Sequence, residues 1–583
     1  MLSELDWIEN ERRICGMNKM HLRSNFEPGT TRWAVRRTQW KSMGMADEDM
    51  EKPKIGVINT SNKLSSCFIH VDKISQAVQD AIKAAGGVPF EIRTVASSDF
   101  VTSAGKKARY LMPTRDLIVN EVECMMEGAV LDGMVCLSSC DKTAPAHMMA
   151  AARLDIPTIL LDCGYQLGGQ CMAGEFVDID DVYEAIGAVA CGKKTLAELI
   201  DMTNHAITTP GVCAGLGTAN SMQIVSEAIG MALPGNAPIL ADSARLYQYC
   251  QQVGSRIVDM VKENLNPRKI ITKESIENAI MVVLAIGGSV NTVRHLSAIA
   301  TEAEIDMDVV KTYEKFADKV HLLTAVRPNG PYRTEDLEAA GGCRAVMKRL
   351  EGILHLDAMT VSGKAVGENI QDAVILRDEV IRPMNEPQSQ KPGVGILRGN
   401  LCPNGAIVKL SAVPNDIDSF TGKAKIFDGE DEAIAGLGDG TIQPGDVIVL
   451  RNMGPKGGPG TVFACSFVAA LNGAELGDKV AVVTDGELSG LNRGIIIGQV
   501  MPEAARGGPL AVIKNGETIH LDFVNRKMDV DITEEEMKKR LMEWQPAKKN
   551  LAPGYLAQYF ELVQPIEQGA VLGYRSFRDK EGR

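Results

Sequence analysis

Three cysteines of this 583-residue sequence stand alone in polar or glycine-rich segments. Cys67 ends the run Asn62-Lys-Leu-Ser-Ser-Cys67, Cys140 lies in Ser139-Cys-Asp-Lys142, and Cys213 lies in Gly211-Val-Cys-Ala-Gly215. Three thiolates can hold an iron–sulfur cluster and leave one iron without a protein ligand. Such an iron acts as a Lewis acid, as an open zinc position does. Spacing alone does not select this chemistry. There is no C-x2-C pair, and among thirteen cysteines an isolated one is most often a small buried apolar residue.

Asp99 and Asp141 are oxygen ligands of the kind a hard cation such as Mg2+ prefers, although either alone would serve as an Asx-turn or helix cap. Lys142 reads as a plain lysine unless a nearby metal stabilises a modified form of its amine. Ser489, in Thr484-Asp-Gly-Glu-Leu-Ser-Gly490, follows a β-rich run and would stand at a strand end. An isolated serine is a weak base, but a facing cation lowers its pKa. Gly454-Pro-Lys-Gly-Gly-Pro-Gly460 lacks the P-loop pattern, and Gly215-Leu-Gly-Thr-Ala-Asn220 lacks the third glycine of a dinucleotide fingerprint. Asp178, Asp180 and Asp181 read as caps of the helix that follows, and His295 as a helix histidine rather than a ligand.

The elements that must position these residues alternate. Lys54–Asn59, Val88–Val95, Gly133–Leu137 and Ile156–Asp162 read as strands. Helices separate them, one ending near Ala85 before Gly86-Gly87, one over Thr114–Gly128 and one over Ala144–Leu154. Such alternation predicts an α/β fold with a doubly wound, mainly parallel sheet and helices on both faces. Ligands bind beyond the carboxyl ends of such strands. Asn59–Cys67, Ser97–Asp99 and Ser138–Lys142 all follow strand ends. Residues 180–360 are helix-rich. Glu386–Pro392 reads as a linker between an α/β domain over 1–385 and a β-rich, barrel-like domain over 393–583. The latter contains strands at Gly395–Leu397, Ile407–Leu410, Val447–Leu450 and Val480–Thr484. Asn515-Gly516 predicts a tight hairpin, and Thr533 with Glu536 a capping box before a helix running to Trp544.

Composition narrows the partners. A net charge of −13 argues against nucleic acid. The charged N-terminus and the lack of a long apolar run argue against secretion and a membrane span, so a cytoplasmic protein with reduced cysteines is expected. Eight scattered histidines do not offer the ligand set of a zinc hydrolase.

Taken together, the segments resemble the family of dihydroxy-acid and phosphogluconate dehydratases, which includes sugar-acid dehydratases. Cys140-Asp-Lys-Thr-x-Pro145 is similar to the family's CDKTxP, and Gly217-Thr-Ala-Asn-Ser-Met222 behind Cys213 to its second cysteine loop. Gly287-Gly-Ser-Val-Asn291 resembles GGSTN, and Leu397-Arg-Gly-Asn-Leu401, Gly454–Gly460 and Pro502-Glu-Ala-Ala505 extend the likeness. It runs from about Arg23 to Ala570.

The resemblance implies a hydro-lyase that dehydrates a 2,3-dihydroxy carboxylic acid, a sugar (aldonic) acid or a branched-chain dihydroxy acid, to a 2-keto acid. It implies a cluster on Cys67, Cys140 and Cys213, [2Fe–2S] in preference to [4Fe–4S]. Mg2+ would lie near Asp99, Asp141 and a carbamylated Lys142, with Ser489 as base, in a homodimer or homotetramer. The sequence departs from the family pattern in two places. Phe463 stands where PGMPE has its metal-binding Glu, and TDGRFSG becomes TDGELSG. Glu487 is therefore expected to supply the missing carboxylate. The rival reading is a catalytically silent, cluster-containing protein that binds a ligand or senses redox state.

Overall fold

The computed structural model describes residues 22–573 except 106, 107, 191, 463 and 489–492. Ser489 and Phe463 therefore lie outside the described residues. Helix α1 (Thr31–Ser42) precedes a sheet of four strands, β1 (Lys54–Asn59), β2 (Val88–Arg93), β3 (Gly133–Ser138) and β4 (Thr158–Asp162). Their order is β2-β1-β3-β4, and every pairing is parallel. Parallel neighbours need crossovers. These are α2 (Val71–Ala84), α3 (Leu111–Ala129) and α4 (Thr143–Leu154). Gly86, at φ +86°, follows α2 as its position before β2 predicts.

Both faces of the sheet are covered. A Cβ on Gly56 of β1 would strike Met126 of α3. Gly133, paired with the neighbouring Ile55, faces Ile257 and Val261 of a later helix on the opposite side. β1, β3 and β4 are buried along their whole length, as strands covered on both faces must be. A short ribbon, β5 (Gly169–Gln170) with β6 (Phe176–Val177), leads into the helical region. There α5 (Ile179–Ala190), α6 (Leu196–His205), α7 (Thr218–Ile229), α8 (Ala244–Glu263), α9 (Lys273–Ile286) and α10 (Asn291–Glu302) succeed one another. Asp178 caps α5, its Oδ1 accepting from the backbone N–H of Asp180 and Asp181. Asp181 completes the cap, its Oδ2 accepting from Asp178 N–H, and also pairs with Arg327.

The second half forms a closed eight-stranded barrel. Its strands are β7 (Gly395–Gly399), β8 (Cys402–Val408), β9 (Ser419–Phe427), β10 (Asp446–Leu450), β11 (Ala481–Thr484), β12 (Ile496–Met501), β13 (Thr518–Asp522) and β14 (Lys527–Val530). β9, β10, β11 and β12 run parallel as neighbours. Side chains alternate with period two, as in any barrel. Val447 and Val449 fill the interior, whereas Ile448 and Leu450 join the core shared with the first half.

Two local expectations change. Asn515-Gly516 is a turn but not a hairpin. The residues before it form a 3-10 turn rather than a strand, and the turn docks on β9 through Gly516 N–H to Ala424 O and Ile426 N–H to Asn515 Oδ1. The hairpin partner of β13 is β14. At the helix Glu534–Glu543, Thr533 accepts from Glu536 N–H, but the Glu536 carboxylate pairs with Arg540 and leaves the capping box half made.

The halves meet where α5 crosses the helix Cys465–Gly473. A Cβ on Gly187 would lie 2.2 Å from Ala469 O, and one on Gly473 only 2.1 Å from the Gly187 carbonyl carbon. Backbone cannot yield as a flexible side chain can, so Gly187→Ala forces these helices apart. The expected loss is about 1–3 kcal/mol, the usual cost of overpacking, read from the denaturant midpoint. An unchanged midpoint would show that the crossing is not tight.

Candidate functional site

The carboxyl ends of the parallel strands in both halves face one another. Cys67 and Asp99 follow β1 and β2, and Cys140, Asp141 and Lys142 follow β3. From the barrel, Glu430 and Asp431 follow β9, the glycine-rich loop Gly454–Gly460 follows β10, and Glu487 follows β11. Asp99, Cys140, Asp141 and Cys213 share one cavity of about 330 Å³ with Thr218, Tyr183, Glu430, Asp431, Cys465 and Ser466. A more open groove lined by Asp181, Arg327, Asn415 and Arg493 contains none of the cysteines or carboxylates expected to hold a cluster or metal.

The three cysteine loops are tied to one another through backbone. Cys67 and Cys140, each 4% exposed, pack together with Phe68. Ser139 Oγ donates to Cys67 O, and Gly211 N–H donates to Ser66 O across 3.1 Å. Asn220 Nδ2 donates to Cys213 O and Gly215 O, both at 2.8 Å, which folds the Cys213 loop over the start of α7. The hydrogen bond to Cys67 and then burial push the Cys140 thiol up. Burial and then Cys140 push up Cys213. The N-termini of α4 and α7 open at the site and favour thiolates, but this contribution is outweighed. Thiols held in this way become thiolates when a metal replaces their protons.

Beside them, buried charges converge on Lys142, whose side chain is fully buried. Its Nζ lies 2.5 Å from Asp141 Oδ2, 3.3 Å from Glu487 Oε1 and 3.5 Å from Asp99 Oδ2. Burial lowers the lysine pKa, but Asp141, Asp99 and Glu487 overcome it and raise it, so the amine is held as ammonium. Asp99 keeps 24% of its side chain exposed, yet burial of its carboxyl and then the charge of Asp141 push it well up. Burial also pushes Asp141 up, but Lys142 and hydrogen bonds to Asp99, Lys142 and Thr218 bring it below its usual value.

Among the described residues, Asp99 Oδ1, Asp141 Oδ1 and Glu487 Oε2 are buried without a hydrogen-bond partner. Buried carboxylate oxygens left bare are costly. Among the described residues no three His, Cys, Asp or Glu side chains already close on a single metal position. Here the ammonium takes the place between the carboxylates that a cation would fill. In donor chemistry the set fits: thiols on one side, and bare carboxylate oxygens around a positive charge on the other.

Two family models match the chain. The "Dihydroxy-acid/6-phosphogluconate dehydratase N-terminal" model covers residues 52–369 and its C-terminal counterpart residues 379–570. The chain belongs to this family. It is a dehydratase, a hydro-lyase. A dihydroxy-acid dehydratase of Pyrococcus furiosus is 43% identical over 541 residues, covering 92% of this chain and 98% of the relative. One from Ignicoccus hospitalis is 41% identical over 93% of this chain and 98% of its own. One from Syntrophobacter fumaroxidans is 40% identical over 96% of this chain and all of its own. A silent binding or sensing protein finds no support among these relatives.

In this dehydratase, the glycine-rich loop that lacks the P-loop pattern acts as scaffolding. Gly454–Gly460 wraps a protein carboxylate instead of a phosphate, with Lys456 N–H and Gly457 N–H donating to the buried Glu503. Burial and then Asp485 raise Glu503 to about 7. A Cβ on Gly454 would lie 2.3 Å from Glu503 Oε2, which explains the glycine. Asp485 accepts from Met453 N–H and Ala504 N–H, locking the β10 and β11 loops. His295 is a buried helix residue, as read from sequence, and burial followed by Arg115 keeps it neutral.

Sequence reading missed Arg294, Asn291, Tyr183 and Cys465. Only Asn291 stood in a recognisable motif. Its Nδ2 donates to Thr218 Oγ1 and Leu488 O, and its Oδ1 accepts from Gln499 Nε2, so it joins α7, α10 and the barrel. Asn291→Ala leaves these buried groups unpaired. The expected loss is about 1–3 kcal/mol in denaturant unfolding, from the usual cost of an orphaned buried group. A loss below 0.5 kcal/mol, roughly the scale of a neutral surface change, would mean that water replaces the amide.

Proposed function

We propose that this dehydratase removes water from a 2,3-dihydroxy carboxylic acid to give a 2-keto acid. The observation that carries the reading is the convergence of Asp99, Cys140, Asp141 and Cys213 on one cavity, with Cys67 packed on Cys140 and with Lys142 and Glu487 paired behind Asp141. The relatives are named for this reaction.

Cys67, Cys140 and Cys213 would hold an iron–sulfur cluster, [2Fe–2S] in preference to [4Fe–4S]. Asp99, Asp141 and Glu487, with Lys142 as carbamate, would hold Mg2+. When bound, these groups supply Lewis acidity at the hydroxyl to be lost and beside the substrate carboxylate. The remaining work belongs to the protein. Ser489, as alkoxide, would take the C2 proton and pass it to the departing C3 hydroxyl, which leaves as water, and the resulting enol tautomerises to the 2-keto acid. Buried Lys142, Asp141 and Glu487 sit where water screens poorly, which strengthens their electrostatic contacts.

Phe100, Ala104, Ala108 and Leu111 give the cavity an apolar stretch suited to a branched hydrocarbon tail. Ser103, Ser466, Glu430 and Asp431 favour a second reading, an aldonic acid whose extra hydroxyls donate to them. Family membership also carries the expectation of a homodimer or homotetramer. No described helix is long and apolar enough to cross a membrane. A small-molecule dihydroxy acid acted on in the cytoplasm fits the proposal.

Iron-reconstituted protein with Mg2+ is expected to form a 2-keto acid from a branched dihydroxy acid, with aldonic acids assayed in parallel. Turnover on neither would sink the reading. Cys140→Ser is expected to lose the visible absorbance of the cluster and at least about a hundredfold in kcat, beyond the usual range of outer-sphere changes. With 13C-bicarbonate, a carbamate resonance that vanishes in Lys142→Arg supports the modified lysine, and its absence from the active wild-type enzyme excludes it.

A further inference from the structure

Behind Glu487 lies a charge that the reaction does not explain. Arg294, on α10, is fully buried, and its Nη2 lies 2.7 Å from Glu487 Oε1. The contact is close but poorly aligned, and Nε, Nη1 and Nη2 all lack a formed hydrogen bond. Removing a guanidinium from water costs several kcal/mol, which good geometry must offset. This one is not placed for packing strength. Among the described residues its one anionic contact is with the carboxylate proposed to hold the cation, and that carboxylate keeps Oε2 without a hydrogen-bond partner.

We propose that Arg294 is a positioning residue that fixes Glu487 as a cation ligand. The inference rests on the reading of Glu487 given above. Glu487 Oε1 is held between two cations, Lys142 at 3.3 Å and Arg294 at 2.7 Å. Its backbone is pinned by Glu487 N–H to Val462 O and Ala464 N–H to Glu487 O. With Oε1 and backbone held, the carboxylate has one oxygen left to offer.

The two cations are not equivalent. An amine can lose its proton or become a carbamate, exchanging positive charge for negative. A guanidinium stays charged in proteins. When Lys142 is carbamylated, Arg294 remains as the fixed positive charge against Glu487 and offsets the crowding of anions around Mg2+. It also places the tie between the halves on an electrostatic footing, because Arg294 belongs to α10 and Glu487 to the barrel.

The test uses cluster-loaded, full-length protein and Mn2+ as probe, with free Mn2+ followed by electron paramagnetic resonance. Glu487→Gln and Arg294→Met are each expected to weaken Mn2+ binding about 10- to 100-fold, the range for groups that orient metal ligands. Arg294→Lys should fall between Arg294→Met and wild type. In the Glu487→Gln background, Arg294→Met should have no further effect. The inference is overturned if Arg294→Met lowers the thermal midpoint but leaves Mn2+ affinity within about twofold while Glu487→Gln weakens it; the role is then structural. Independent, additive losses also overturn it. If Glu487→Gln leaves Mn2+ affinity unchanged, the ligand reading itself fails, an outcome seen in a different arm. Should Arg294→Met not fold, Arg294→Lys against Arg294→Lys/Glu487→Gln gives the same comparison.

Discussion

Lys142 sits fully buried against carboxylates from its own loop, from the end of β2 and from the barrel. Charges are tolerated there because each has an opposite within a few ångströms in a medium that screens poorly. Taking away any partner would strand another in the interior. The two halves are therefore held in register by electrostatics as well as apolar contact. The shared core, which Ile448 and Leu450 of the barrel join, supplies area, while the opposite charges of Lys142, Arg294 and Glu487 favour the docking that brings them together.

That docking has a simple geometric basis. Parallel strands end at one edge, and loops at that edge carry the polar residues. The sheet of the first half and the parallel run of the barrel present these edges to one another. Most of the loops are fixed by backbone hydrogen bonds to buried carboxylates or amides, among them Asp485, Glu503 and Asn220. Glycines at Gly187, Gly454 and Gly473 permit approaches that a Cβ would block. The cavity walls are therefore preorganised, as a site needs if it is to stabilise developing charge without rearranging.

The balance of forces at the thiols favours metal binding over free thiolates. Helix N-termini favour negative sulfur, while burial and mutual proximity oppose it and win. Bare carboxylate oxygens beside them show the same imbalance from the acidic side. Both are relieved by cations, the common physical thread of the proposed chemistry.

Much of this was legible in the sequence. Alternation of β-rich and helical runs determined the parallel sheet, because only crossovers of helical length join parallel neighbours. Strand ends then marked Cys67, Asp99 and Cys140-Asp141-Lys142. The short strands after Gly395 announced a barrel. A local signal failed where long-range packing decided: Asn515-Gly516 docks on β9 instead of closing a hairpin. Arg294 carried no mark, since a buried arginine reads like any other helical cation until its surroundings are known. Sequence by itself determined which residue types could do chemistry and the strand ends that present them. Glu487 was expected there from the altered TDGELSG segment, but only the tertiary structure set its oxygen between Lys142 and Arg294 and brought Arg294 to the site, because contacts between α10, the β11 loop and Lys142 span hundreds of residues and leave no local pattern.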